Sequence, residues 1–180
     1  MQVSGLQTLS SFSLLKSPIL IDDLVKDAVD KGYSSLALTD INVTYGLVDF
    51  YLAAKKVNLK PLLGMTIRLN GIVDQAHRYD LISIAKNNQG YKNILRLSSA
   101  INLKTDNGDE RKVLTLKQLA KYLSDQVFIV PANITSELRY LAENNEKLGS
   151  DFIRELQKII PSSSDSVSYT HLTLPTILLV

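Results

Sequence analysis

Short apolar runs alternate with amphipathic helical patterns along most of this chain, and this alternation is the strongest constraint on its fold. A buried-strand run, SSLALTD (34–40), lies between two helical patterns, SPILIDDLVKDAVDKG (17–32) and VTYGLVDFYLAAKKVN (43–58). Gly32 can end the first helix, and we expect Asn42 to cap the second. This order predicts an α/β fold whose parallel strands are covered by helices.

The rest of the chain continues the alternation. We predict further strands at 3–9, 60–69, 79–86 and 126–132, and further helices at 90–103, 115–124 and about 135–160. Together they give about five βα units with mostly parallel strands. Functional groups in such folds lie at the carboxyl ends of the strands, which here carry Gln7 to Ser11, Thr39 to Asn42 and Gly64 to Thr66.

Composition excludes several classes of function. The 180 residues include no cysteine, which excludes disulfides, thiolate metal sites and cysteine nucleophiles and is compatible with a reducing cytoplasm. The formal net charge of +2 is too small to indicate a nucleic-acid or membrane partner. The first residues lack the basic and apolar regions of a signal peptide, so we expect a cytoplasmic protein.

Histidines are too few for a hydrolytic metal centre. Such a centre needs several imidazole and carboxylate ligands, and the chain has two histidines, His77 and His171. His77 precedes the fourth predicted strand, where we expect a solvated loop residue. His171 lies in a tail of unusual composition. The residues alone therefore predict no histidine-rich cluster.

Four stretches share their order and spacing with one family. They are LQTLSSFSLL (6–15), ALTDI (37–41), KPLLGMT (60–66) and the run from YDL to the end of AKNNQGYKNILRLSS (79–99). In this order they resemble the N-terminal PHP (polymerase and histidinol phosphatase) domain of bacterial DNA polymerase III alpha subunits, over about residues 3–104. The resemblance implies a distorted (βα) barrel of PHP type, of which this chain carries an incomplete part.

Departures from the family are concentrated at its metal ligands. The family motifs LHxHS, ALTDH, KPxxGxE and YHL place metal ligands at six positions, which are occupied here by Gln7, Leu9, Asp40, Ile41, Thr66 and Asp80. The aspartate at position 40 is retained, whereas the histidines and the glutamate are replaced. Leucine and isoleucine cannot ligate a metal, and glutamine and threonine offer weak neutral oxygens.

The replaced ligands change the expected chemistry. We expect no tightly bound metal, no catalytic or cofactor-binding residue, and no phosphoesterase or proofreading exonuclease activity in this domain. For Asp40 we expect hydrogen bonds to loop amides, or capping of the next helix, rather than acid–base chemistry.

The resemblance also implies what a parent protein would do. DNA polymerase III alpha subunits are DNA-directed DNA polymerases, which are nucleotidyltransferases, and we expect Mg²⁺ in their palm domain, outside this sequence. We expect a structural domain that contacts the remainder of the polymerase and other replication subunits, with DNA and deoxynucleotides bound through the parent and no membrane partner. A stand-alone PHP-type metal-dependent phosphoesterase and a βα interaction module remain as alternatives.

Two further interpretations concern the tail and the tyrosines. The last stretch, PSSSDSVSYTHLTLPTILLV, has no Lys or Arg, and VSYTHLTLPTI within it resembles a translated sequencing adapter. We therefore predict a truncated PHP domain over 1–161 and a non-native or disordered tail over 162–180. We expect Tyr45, Tyr51 and Tyr91 to pack in the core rather than to form a base-stacking platform.

Overall fold

A single sheet forms the centre of the computed structural model, which describes residues 3–103, 115–162 and 164–168. Within these ranges the strands, in their order across the sheet, are β1 (Val3–Gly5), β2 (Tyr33–Leu38), β3 (Lys60–Asn70), β4 (Arg78–Ala85), β5 (Gln126–Val130) and β6 (Asp165–Ser168). The helices are α1 (Ile21–Asp30), α2 (Leu47–Lys56), α3 (Asn88–Asn102), a 3₁₀ helix (Leu116–Tyr122), α4 (Glu137–Asn144) and α5 (Glu146–Ile159).

The strand directions confirm the predicted fold class. The pairs β1–β2, β2–β3 and β5–β6 are parallel, whereas β3–β4 and β4–β5 are antiparallel. The sheet is therefore mostly parallel, and it curls into a half-barrel with helices packed against it. In the part of the chain described, no helix is long and apolar enough to span a bilayer.

The antiparallel pair β3–β4 is not anticipated by the strand–helix alternation. Residues 71–77 connect the two strands without a helix, and pairing extends from Gly64 opposite Ile84 to Asn70 opposite Arg78. A connection this short can join antiparallel neighbours, whereas parallel neighbours need a long crossover. The hairpin therefore reverses the chain direction in the middle of the sheet.

The single helix predicted at about 135–160 is wrong, because two helices occupy this segment. Asn145 lies between α4 and α5 with an extended backbone, and its side chain accepts a hydrogen bond from the Lys147 amide at 2.9 Å. An asparagine that caps the second helix in this way ends the first. The two helices then pack on each other, with Gly149 lying against Ala142.

The predicted cap of α2 is also wrong. Asn42 does not precede the helix directly, since α2 begins at Leu47 after Gly46. The Asn42 backbone is left-handed, with φ 58°, and its side chain pairs with the backbone of Arg68, accepting from the amide at 2.8 Å and donating to the carbonyl at 3.2 Å. Gly32, at φ 75°, follows α1 as predicted.

Three other elements differ from their predicted extents. β1 covers residues 3–5 of the predicted 3–9, so residues 6–10 form a loop. The helix predicted at 115–124 is a 3₁₀ helix with a Thr115–Gln118 capping box. The strand β6 lies inside the predicted tail and pairs with β5 in parallel. The domain boundary at 161 stays a prediction, and residues 169–180 lie outside the described part.

Two large apolar clusters pack the helices against the sheet. One joins α1 and α2 to β2, and its most buried members include Leu38, Leu47, Phe50 and Ala54. The other joins β3, β4 and β5 to α3, the 3₁₀ helix, α4 and α5, and includes Met65, Ile94, Leu97, Leu123 and Phe128. The carboxyl end of β2 and the loops that follow β1 and β2 lie beside these clusters, and they carry the candidate site.

Candidate functional site

Three of the six family metal positions meet where β2 ends beside β3. Asp40 and Ile41 follow the end of β2 after Thr39, and Thr66 lies within β3. The Thr66 amide donates to the Asp40 carbonyl at 3.0 Å, and Ile41 forms an isolated parallel bridge with Thr66. Asp40 and Thr66 are buried, with 2% and 1% exposure. The structure thus brings these three predicted positions together.

The Asp40 carboxylate is fully engaged by the loop after β1. Its Oδ1 accepts from the Ser10 amide at 2.8 Å and from Ser13 Oγ at 2.6 Å, and its Oδ2 accepts from Ser10 Oγ at 2.7 Å. Ser13 Oγ in turn accepts from the Ile41 amide at 3.0 Å. The expected bond between Asp40 and a loop amide is therefore present. The two serines that complete the arrangement are not identified by sequence reasoning.

Asp80, at a further family position, is engaged by an arginine on the neighbouring strand. Arg68 Nε and Nη2 donate to its two carboxylate oxygens at 2.6 and 2.7 Å, and the two residues lie directly opposite in the β3–β4 hairpin. This hydrogen bonding raises the pKa of Arg68. A bidentate pair of this kind holds both oxygens of the carboxylate.

The remaining family positions offer little to a cation. Gln7 is exposed in the loop after β1, and Leu9 is half-buried and apolar. Thr66 Oγ1 donates to the Thr39 carbonyl at 2.8 Å. Among the described residues, no group of three or more His, Asp or Glu side chains could hold a metal ion. The donor set therefore does not fit the metal cluster that the family motifs imply.

His77 lies in the β3–β4 loop, apart from the family positions. Its side chain is 65% exposed, and Nδ1 lies 2.7 Å from Asp74 Oδ2. The Tyr79 hydroxyl donates to the same oxygen at 2.5 Å, and these hydrogen bonds, that of Tyr79 first, lower the pKa of Asp74. The predicted loop position of His77 is confirmed. His171 lies outside the described residues.

Glu137 is a buried carboxylate that sequence reasoning misses. Its oxygens accept from the amides of Ile72 and Val73 at 2.7 Å and of Asp74 at 2.9 Å. Burial raises the pKa of Glu137, and the three amide hydrogen bonds act in the opposite direction. These contacts attach the β3–β4 loop to the first turn of α4, so the role of Glu137 is structural.

A cleft of about 450 Å³ opens beside the family positions. It is bounded by the loops after β1 and β2, by the ends of the β3–β4 hairpin and by the last turn of α3. Tyr45 lines it and is 68% exposed, and Tyr51 on α2 is 42% exposed. The prediction that these two tyrosines pack in the core is therefore wrong, whereas Tyr91 packs against the α1–α2 cluster.

The half-barrel has the fold of a known barrel structure. An amidohydrolase from Chromobacterium violaceum, solved with bound sulfate and no metal, shares the fold with a TM-score of 0.57. The two are 12% identical, and the match covers 84% of this chain and 74% of that one. The family model of the PHP domain matches residues 6–165 of this chain. The chain therefore belongs to the PHP domain family.

Sequence relatives narrow the comparison to polymerase subunits. The chain is 37% identical over 126 residues to the DNA polymerase III subunit alpha of Bacillus subtilis strain 168, and 40% identical over 121 residues to that of Staphylococcus epidermidis. The matches cover 70% and 67% of this chain. The chain spans about 11% of the length of these curated relatives and is homologous to their N-terminal region.

Proposed function

We propose that this chain is an N-terminal fragment of a DNA polymerase III alpha subunit, and that its PHP domain is metal-free, non-catalytic and structural. Homology to the N-terminal region of these subunits supports the first part. The second part rests on one observation. Two of the family metal positions carry a carboxylate, and each carboxylate is already hydrogen-bonded through both of its oxygens, Asp40 by two serines and Asp80 by Arg68.

Metal capture by Asp40 would be unfavourable for a physical reason. A cation that took its oxygens would remove the acceptors of Ser10 and Ser13, and buried donors without acceptors each cost about 1 to 3 kcal/mol. Leu9 and Ile41 would supply no compensating ligand. Without a bound cation, the domain lacks the means by which relatives of this type would lower the pKa of a water molecule for phosphoester hydrolysis.

In this proposal the DNA polymerase activity belongs to the longer parent protein and not to the PHP domain. The parent is a DNA-directed DNA polymerase, a nucleotidyltransferase of the cytoplasm, and its palm domain uses Mg²⁺. DNA and deoxynucleotides bind to the parent, and the PHP domain contacts the rest of the polymerase chain and other replication subunits. The homology with two polymerase subunits at 37% and 40% identity supports this assignment.

Metal content tests the structural role. The purified chain is incubated with excess Mn²⁺ or Zn²⁺, dialysed, and analysed by inductively coupled plasma mass spectrometry. Hydrolysis of p-nitrophenyl phosphate is then measured with each metal. We expect the dialysed chain to retain less than about one tenth of an equivalent of metal and to show no metal-dependent hydrolysis. One retained equivalent with Mn²⁺-dependent turnover would establish the alternative, a metal-dependent phosphoesterase.

Gene sequence tests the fragment assignment separately. The source DNA is amplified across the codon for Ile160 and sequenced downstream. An open frame that continues into a palm domain with clustered aspartates is expected. A genuine stop codon after Val180 would contradict the polymerase assignment and favour the βα interaction module.

A further inference from the structure

A group of exposed cations lies on α2, on α3 and at the start of β3. Lys55 and Lys56 end α2, Lys60 begins β3, and Lys92 and Arg96 lie one helical turn apart on α3. All five side chains are exposed, and within the described ranges none of them forms a salt bridge. We call these five residues the basic surface.

Strand register places Lys60 beside the start of α3. In the antiparallel β3–β4 hairpin, Gly64 pairs with Ile84. Lys60 lies four residues before Gly64, and Asn88 lies four residues after Ile84. The same register therefore sets Lys60 level with the first residue of α3.

Packing brings the end of α2 to the same side of the molecule. The Leu59 amide donates to the Ala54 carbonyl at 3.0 Å, which holds the residue before β3 against the last turn of α2. Tyr91, which precedes Lys92 on α3, packs against the apolar cluster of α1 and α2. The five cations therefore lie on adjoining elements.

Little negative charge opposes the basic surface. α3 contains no Asp or Glu over residues 88–102. Asp49 is the single acidic residue of α2, and it lies in the first turn, about 10 Å along the helix from Lys56. Asp125, near the start of α3, accepts a hydrogen bond from Asn87 Nδ2 at 3.1 Å. The positive charge is thus local, in a chain whose formal net charge is +2.

The chemistry of the basic surface fits a polyanion with accessible phosphates, because lysine and arginine bind phosphate oxygens. Single strands are also held by bases that stack on exposed aromatic rings. The Tyr51 ring beside these cations has Lys55 Nζ over its face, 5.7 Å from the centroid, and Tyr91 is half-buried. Contacts to phosphates alone suit duplex DNA, which carries one charge per about 1.7 Å of its axis.

We propose that the basic surface binds the phosphate backbone of duplex DNA without reading the base sequence. The choice of DNA rests on the proposed function, a fragment of a DNA polymerase subunit. The basic surface gives this domain a DNA contact of its own, apart from the DNA held elsewhere in the parent. It contains none of the six family metal positions and none of the described residues that line the cleft, so it is a separate site.

Binding is measured with the full chain and a fluorescein-labelled duplex of about 20 base pairs, by fluorescence anisotropy at several salt concentrations. The double variant Lys56→Gln with Lys92→Gln removes one cation from α2 and one from α3. Each phosphate contact contributes about 0.9 to the slope of log affinity against log salt, so we expect the slope to fall by about 1.8. At about 50 mM salt, the affinity is expected to fall at least about tenfold.

A matched control makes the same charge change elsewhere. Lys26→Gln with Lys147→Gln removes two exposed lysines, from the middle of α1 and the first turn of α5. We expect this control to bind within about twofold of the unmodified chain and to keep its salt slope. Equal losses in the two double variants, or no binding by the unmodified chain, would overturn the proposal.

Unlabelled competitors identify the kind of polyanion. A duplex of unrelated sequence is expected to displace the probe as well as the probe's own sequence does, and a single strand of the same length is expected to compete less well. Displacement by polyglutamate as strong as that by duplex DNA would indicate an acidic protein partner and overturn the proposal. A single strand that competes better than the duplex would overturn it as well.

The outcome is separable from that of the proposed function. A reading frame that continues into a palm domain, together with no DNA binding by this chain, would overturn the basic surface as a DNA site and leave the fragment assignment standing. Duplex binding that depends on Lys56 and Lys92, together with a genuine stop codon after Val180, would support the site and contradict the fragment assignment.

Discussion

Asp40 is the residue whose environment most directly separates a structural role from a metal-binding one. Its carboxylate joins the loop after β1 to the end of β2 through Ser10 and Ser13. Asp40→Ala leaves buried donors without acceptors, so we expect the free energy of unfolding to fall by about 3 kcal/mol. Asp40→Asn keeps one acceptor oxygen, and the Ser10 hydroxyl can turn to accept from the new amide, so a loss of about 1 kcal/mol is expected.

Urea denaturation followed by circular dichroism measures both losses. Asp49→Ala removes an exposed aspartate from α2 and serves as the control for loss of one negative charge. A structural carboxylate predicts the order Asp40→Ala, then Asp40→Asn, then Asp49→Ala, from largest loss to smallest. Equal losses for the two alanine variants would show that the serine contacts do not stabilise the fold.

Single residues also show how far the sequence predicts the site. The spacing of the family motifs places Asp40, Thr66 and Asp80 correctly at strand ends and within strands. Ser10 and Arg68 donate hydrogen bonds to the two carboxylates, and neither contact is predicted. Both contacts depend on how distant parts of the chain pack together. Ser10 lies 30 positions from Asp40 in sequence, and Arg68 meets Asp80 across a hairpin that the helix–strand pattern does not indicate.

Elements are predicted well where one periodicity dominates and poorly where a turn interrupts it. The apolar run of β2 and the amphipathic pattern of α1 specify those elements locally. The apolar stripe of α4 continues into α5, so periodicity alone hides the break at Asn145. Residues 71–77 form a loop whose amides bond to Glu137, a residue more than 60 positions away, and no local pattern indicates this contact.

The β3–β4 hairpin offers a matched test at the scale of elements. A Cβ on Gly71 would lie 2.3 Å from the Asp74 carbonyl oxygen and 2.6 Å from Glu137 Oε1, so the loop must leave its carboxylate anchor. We expect Gly71→Ala to lower the free energy of unfolding by about 2 kcal/mol. In α5, a Cβ on Gly149 would make ordinary contact with Ala142 at 3.4 Å. Gly149→Ala is expected to stabilise the protein by about 0.5 kcal/mol, since alanine favours a helix.

The two substitutions are chemically identical, so opposite signs report the surroundings of each glycine. Chemical denaturation in urea gives both changes, and the slope of each transition checks that cooperativity is retained. A Gly71→Ala variant as stable as the unmodified chain would mean that the loop can move away from Glu137 without cost. The hairpin would then not depend on that anchor.

For the whole molecule, the last strand decides where the folded unit ends. Ser164 Oγ donates to the Leu123 carbonyl at 2.7 Å and accepts from the Gln126 amide at 3.1 Å. Lys86 Nζ lies 2.9 Å from Asp165 Oδ2, and β6 pairs with β5 over four residues. These contacts attach residues 164–168 to the sheet, although these residues lie inside the predicted tail.

Shortening the chain tests whether β6 stabilises the folded domain. A chain that ends at Ser162 loses the β5–β6 pairing and exposes the hydrogen-bonding edge of β5, whereas a chain that ends at Ser168 keeps both. We expect the shorter chain to melt about 4 to 8 °C lower, which corresponds to a loss of about 2 kcal/mol for a domain of this size. Differential scanning calorimetry of the two chains and the full chain measures the shift. Equal melting temperatures for all three would place the end of the folded unit before β6 and support the predicted boundary at 161.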